Sequence, residues 1–128
     1  MRSFTLLELI VVLIIVSILA TISYVHYSGY QERSLDSEGW ANLNLIIDAE
    51  RVYRMERGVF FLSANVVLLN NDLRLFLPTL NAQWAYSAQL VGAICCAQAT
   101  RTGGAQIRSW RLCTNGALPV SGTCNACP

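Results

Sequence analysis

The chain has 128 residues, of which 54% are hydrophobic and only 13% charged, and nine basic side chains nearly cancel eight acidic ones to leave a net charge of +1. That balance gives no obvious nucleic-acid-binding surface. With one histidine, His26, and acids strung mainly along the first half, no nucleophile, base and orienting group can be named, so neither an enzyme nor a bound cofactor is expected.

Glu8 is the only charged residue between Phe4 and Ala20. An ionised carboxylate near the centre of a membrane-spanning helix costs roughly 2.5 to 3.5 kcal/mol, so such a residue needs a partner and a role. The apolar character continues to Val25 past Ser17, Thr21 and Ser23, about 22 residues or roughly 33 Å of helix, which is enough to cross a bilayer. Met1, Arg2 and Ser3 precede it, and a retained anchor with its N-terminus on the cytoplasmic side is expected.

Beyond Val25 the pattern turns amphipathic. Leu35, Trp40, Leu43, Ile46, Ile47, Ala49, Val52 and Tyr53 recur at three- and four-residue steps, which predicts one buried helix face. Glu50 and Arg54 are spaced for an i,i+4 pair, and Gly58 follows Arg57 as a C-cap. The predicted helix runs from Phe4 to Arg57, with Gly29 and Gly39 as the points where it is least regular. A helix of about 54 residues far exceeds the usual length in a compact domain, so lipid or other subunits must cover its first half.

From Gly58 to Pro128 the chain reads as a small head. Val59–Leu62 and Val66–Leu69 are apolar runs, Asn70-Asn71-Asp72 is a turn signal, and Leu73–Pro78 reads as a loop crossing the sheet edge. Strands are predicted at 83–90, 93–100 and 105–113, with turns at Gly92 and at Thr102-Gly103-Gly104. Short connections favour an antiparallel meander of three or four strands. Four segments follow: residues 1–3 ahead of the helix, an apolar helix half at 4–25, an amphipathic half at 26–57 and a β head at 58–128.

Phe4-Thr5-Leu6-Leu7-Glu8 followed by an unbroken apolar helix closely resembles the N-terminal signature of type IV pilins and pseudopilins. The resemblance covers Phe4 to about Gly58. It makes residues 1–3 a short leader and implies cleavage between Ser3 and Phe4 by a prepilin peptidase, methylation of the new amino terminus at Phe4, and passage from the inner membrane into a helical homo-oligomer through pilus assembly machinery. Glu8 would pair with the amine of Phe4 on a neighbouring subunit and so select the docking register. Ser3 replaces the Gly that the family carries before the cut. Ser17 and Val25 replace a Gly and a Pro that loosen the family's helix, which predicts a more continuous helix in the filament than is usual for the family.

Five cysteines lie in the head, at Cys95, Cys96, Cys113, Cys124 and Cys127. Pilins often staple the C-terminal loop to the sheet, and the resemblance suggests that Cys113 joins Cys124 or Cys127 while Cys95 or Cys96 takes the other. On a regular strand Cys95 and Cys96 point to opposite faces, so one of them faces the loop. The odd thiol is either buried and inert or joins subunits. Cys124-Asn125-Ala126-Cys127 has half the spacing of a zinc site, but no second close pair of ligands exists, and a redox CxxC lacks its βαβ setting, so no metal is expected.

Other candidates have ordinary readings. His26 suits the membrane interface or the surface. Arg101, Arg108 and Arg111 suggest a local basic stripe, for which solvated strand faces pairing with acids of a neighbouring subunit outweigh DNA binding. Tyr24, Tyr27, Tyr30, Trp40 and Tyr53 suit packing and interface roles better than electron conduction.

The sequence therefore predicts an α+β protein in which a long N-terminal α-helix packs on a small antiparallel β-sheet head with a disulfide-stapled C-terminal loop. As a function it predicts the structural subunit of a type IV pilus-like filament, in which the N-terminal helices form the core and the heads form the cell-surface exterior. The alternatives are a pseudopilin of a type II secretion or competence system, and a single-pass membrane protein that binds a partner without polymerising.

Overall fold

A computed structural model describes residues 5–80, 82–103, 108–116 and 118–125; it gives no side-chain account of Val25, His26 and Ser28. Helix α1 spans Leu6–Arg57 and α2 Val66–Asp72. Four strands follow, β1 Trp84–Val91, β2 Ile94–Arg101, β3 Ser109–Cys113 and β4 Val120–Ser121. The chain divides into two compact units, one ending at Leu35 and one beginning at Asp36.

Within the first unit α1 of the single chain passes Ser17 and Val25 without interruption. Every large apolar side chain from Leu6 to Ile22 is exposed. The hydroxyls of Ser17, Thr21 and Ser23 donate to the carbonyls of Ile14, Ile18 and Leu19 at 2.7 to 2.9 Å, so these polar groups are satisfied within the helix.

The second unit is built on the other half of α1. Leu43, Ile46 and Ile47 are buried, as their three- and four-residue spacing predicts, together with Trp84, Tyr86 and Ala88 of β1, Cys95, Ala97 and Ala99 of β2, and Leu112 of β3. Successive inward residues two apart on β1 and β2 are the signature of a sheet covered on one face. Asn42 donates to the Tyr86 hydroxyl at 2.7 Å, which satisfies the polar end of a buried ring. Gly39 lies against Trp84: a Cβ there would come within 3.1 to 3.3 Å of three atoms of the indole. Its contribution is close approach, where the sequence had suggested only irregularity.

The sheet order is β1-β2-β3-β4, and all neighbours are antiparallel. Gly92 takes a positive φ of 65° in the two-residue turn between Val91 and Ile94, a conformation that costs glycine little. The architecture is the expected α+β meander behind a long helix, and several boundaries differ. Strands β1 and β2 each sit one residue later than read. β3 begins at Ser109, and 105–107 of its expected span lie outside the described residues.

The run Val66–Leu69 and the expected turn Asn70-Asn71-Asp72 together form one helix, which the sequence reading missed. Asn65 caps it by accepting the Val67 N–H at 2.8 Å, and only Leu69 is fully buried. Leu73 and Leu77, from the stretch read as an edge loop, are core residues.

Candidate assembly site and stapled head

Thr5 starts α1. Its hydroxyl accepts the Glu8 N–H at 3.3 Å, the N-cap to N3 contact of a Thr-x-x-Glu capping sequence. Glu8 is exposed, and no other charged side chain lies between Thr5 and Gln31. The result is a predominantly apolar helical surface carrying one carboxylate near its start. Ser3 and Phe4, the expected cleavage and methylation positions, lie outside the described residues, as does the side chain of His26.

In the head the terminal loop is stapled by a Cys96–Cys124 disulfide, with Cα atoms 5.9 Å apart. Backbone groups of Cys124 are also held from the sheet. Its N–H donates to Gln98 Oε1 at 3.0 Å and its carbonyl accepts from Gln89 Nε2 at 3.0 Å. Arg111 adds a donor to the Thr123 carbonyl at 3.1 Å. The bridge therefore closes a segment that side chains already position.

Cys113 faces Cys96 in the β2–β3 register, with the two sulfurs 3.7 Å apart, and it too is disulfide-bonded. Cys127 lies outside the described residues. Cys124 is thus joined to Cys96, and the alternative pairings of Cys124 with Cys113 or Cys95 are overturned. Because Cys124 is oxidised, the CxxC is not available as a dithiol ligand pair.

Cys95 and Cys96 do point to opposite faces, Cys95 into the main core and Cys96 into the disulfide cluster. Cys95 is the free thiol, and it is buried. Burial, with a smaller contribution from the charge of Glu50, pushes its pKa up to about 12, so it carries almost no thiolate at neutral pH.

Glu50 departs most from its sequence reading. It points into the core rather than forming a surface pair with Arg54, and its Oε2 accepts the Phe61 N–H at 2.9 Å. Its Oε1 has no hydrogen-bond partner among the described residues. Desolvation raises its pKa from 4.5 to about 7, partly offset by the Phe61 hydrogen bond. Arg54 instead lies over the Phe60 ring, with Cζ 4.7 Å from the centroid.

Nor do the three head arginines form a stripe. Arg108 Nη1 pairs with Asp36 Oδ2 at 2.8 Å, Arg101 is buried, and Arg111 holds the terminal loop. Asp36 also accepts from Trp110 Nε1 at 3.4 Å, and Trp110 meets Trp40 edge to face with centroids 5.0 Å apart. No signal in the sequence pairs Asp36 with a residue 72 positions away.

Among the described residues no three His, Cys, Asp or Glu side chains stand together as a metal site. No curated protein and no solved structure matches the chain. Residues 1–24 match the family model described as the prokaryotic N-terminal methylation motif. The chain thus carries the prokaryotic N-terminal methylation motif at the start of an exposed apolar helix that leads in sequence to a disulfide-stapled α+β head.

Proposed function

We propose that the chain is the structural subunit of a type IV pilus-like helical filament. It is cut between Ser3 and Phe4, methylated at Phe4, and drawn from the bacterial inner membrane by its assembly machinery into a surface filament. The observation that carries this reading is the bare apolar face of α1 from Leu6 to Ile22 beneath the methylation motif. In water that surface is strongly unfavourable, and lipid or identical helices are the two environments that cover it. Within a helix bundle Glu8 is satisfied by the amine of Phe4 on a neighbour, which makes assembly specific in register.

The stapled head favours a pilus that survives outside the cell over a pseudopilus confined to the envelope. The head's outer surface would form the filament exterior.

Mass spectrometry of the mature N-terminus and electron microscopy of a mechanically sheared fraction test the proposal together. A chain beginning at methylated Phe4 and present in sheared filaments supports it. Material that keeps Met1 and stays in the envelope as monomers overturns it.

A further inference from the structure

Phe76 is fully exposed, yet it stands on a loop that is anything but loose. Leu75 packs against the core and Leu77 is buried, so the residues on either side are anchored. Asn70 brackets the segment. Its Oδ1 accepts the Leu77 N–H at 2.8 Å, its Nδ2 donates to the Leu77 carbonyl at 3.0 Å, and its own carbonyl accepts the Leu75 N–H at 3.0 Å. Arg74 takes a positive φ of 54° to make the turn, a conformation non-glycine residues adopt at a cost. A large aromatic held in solvent by fixed backbone has already lost the freedom that binding would otherwise remove, as the anchor residues of interfaces have.

A receptor for such an anchor lies elsewhere on the same head. A cavity of about 600 Å³ opens beside the last turns of α1, lined by Arg51, Arg54, Met55, Phe60 and Ile94 among others. Arg51 is fixed by Asp48 and the Thr114 carbonyl, both at 2.9 Å. Arg54 already stacks on Phe60. A second ring on the opposite face of that guanidinium would complete a sandwich, in which the negative face of the ring meets the Arg54 cation.

Knob and pocket cannot meet within one chain. At about 100° per residue, Arg51, Arg54 and Met55 lie on one flank of α1, whereas Ala49, Val52 and Glu56 line the groove beside Asp72 and Arg74 on the other. Complementary patches on different sides of one subunit make a head-to-tail contact, the kind that propagates into rings or helical filaments.

We propose that Phe76 of one copy of this chain seats in the Arg54–Met55–Phe60 pocket of a second copy, as a heterologous contact between the globular heads of neighbouring subunits. The inference rests on the filament reading, to which it adds a specific interface. The test replaces Phe76 in the full-length chain by the photo-crosslinking residue p-benzoylphenylalanine and irradiates the sheared filaments. Crosslinked dimers whose joined peptides map to 51–60 or 93–94 are expected. Filaments that crosslink at other segments, to lipid or to an unrelated protein, or not at all, overturn this contact while leaving the filament reading intact. Absence of filaments from the unmodified chain overturns both. In parallel, Phe76→Ala and Met55→Glu, both at exposed positions, are each expected to cut sheared filament about tenfold or more with the thermal midpoint of the head unchanged. Unchanged yield from both variants also overturns the contact.

Discussion

The carboxylate of Glu50, on the inner face of α1, accepts the backbone N–H of Phe61, 11 residues further on, at 2.9 Å. This contact ties the segment after Gly58 back onto the helix it has just left. Tyr53 and Phe61, with ring centroids 5.8 Å apart, reinforce it. It also places an acid in the core beside a free thiol, with one oxygen unpartnered among the described residues.

A pH dependence follows, with a defined sign. The folded pKa of Glu50, about 7, lies above the unfolded value of 4.5, so between those limits the folded state keeps a proton that the unfolded chain has released. Stability is therefore highest below about pH 4.5 with respect to this group, declines as pH rises, and levels off above about 7. The fall is of the order of 3 kcal/mol. Thermal melts of the protein in detergent from pH 5 to 8 should show the decline in the wild type and a flat profile in Glu50→Gln, which keeps an oxygen for the Phe61 N–H. Equal slopes in both proteins would remove Glu50 as the cause.

Gly39 provides a test of packing against propensity. Alanine is better than glycine in a helix by about 1 kcal/mol, but overpacking a filled core costs about 1 to 3 kcal/mol. Trp84 is buried and has little room to yield to the new methyl group. Gly39→Ala should thus be neutral to destabilising by about 2 kcal/mol and Gly39→Val worse. Gly29→Ala, with no atom near the new Cβ, should not destabilise. Denaturant melts of the three variants would decide, and a stabilised Gly39→Val would contradict the close approach.

Cysteine chemistry separates three environments. Removing the Cys96–Cys124 bridge, which spans 28 positions, should cost about 3 to 4 kcal/mol in the chain-entropy account. The sequence reading pairs Cys113 with Cys124 or Cys127, and with Cys124 joined to Cys96 we propose Cys127 as the partner of the oxidised Cys113. Peptide mapping without reduction should recover Cys96–Cys124 and Cys113–Cys127. In the same digest Cys95 should escape alkylation until the protein is unfolded, and labelling of the native chain at Cys95 would contradict its burial.

Glu8→Ala should leave membrane insertion intact, because it removes the one charge from an apolar helix, and should abolish filaments if Glu8 is the partner of the Phe4 amine as proposed. Fractionation reports insertion and a sheared fraction reports assembly. A normal yield of filaments would end the proposed role of Glu8.

Periodicity and punctuation are local, and they made much of this protein legible in one dimension. The apolar run beneath Phe4-Thr5-Leu6-Leu7-Glu8, the face carrying Leu43, Ile46 and Ile47, the turn at Gly92 and the opposite orientations of Cys95 and Cys96 all follow from helix and strand repeats. The methylation motif is likewise a contiguous string.

What only the tertiary structure decided are the relationships between distant residues. Val66–Leu69 suits a strand by composition, yet it forms a helix capped by Asn65. Glu50 is spaced for a surface pair with Arg54, yet its position on the buried arc of α1 turns it towards Phe61. Cys124 had several possible partners, and the β2–β3 register together with Gln89 and Gln98 brings it to Cys96. Asp36 meets Arg108 because the sheet carries β3 back to α1. Each of these depends on which surfaces the core brings face to face, and that is set by the joint burial of many side chains, not by the neighbours of any one of them.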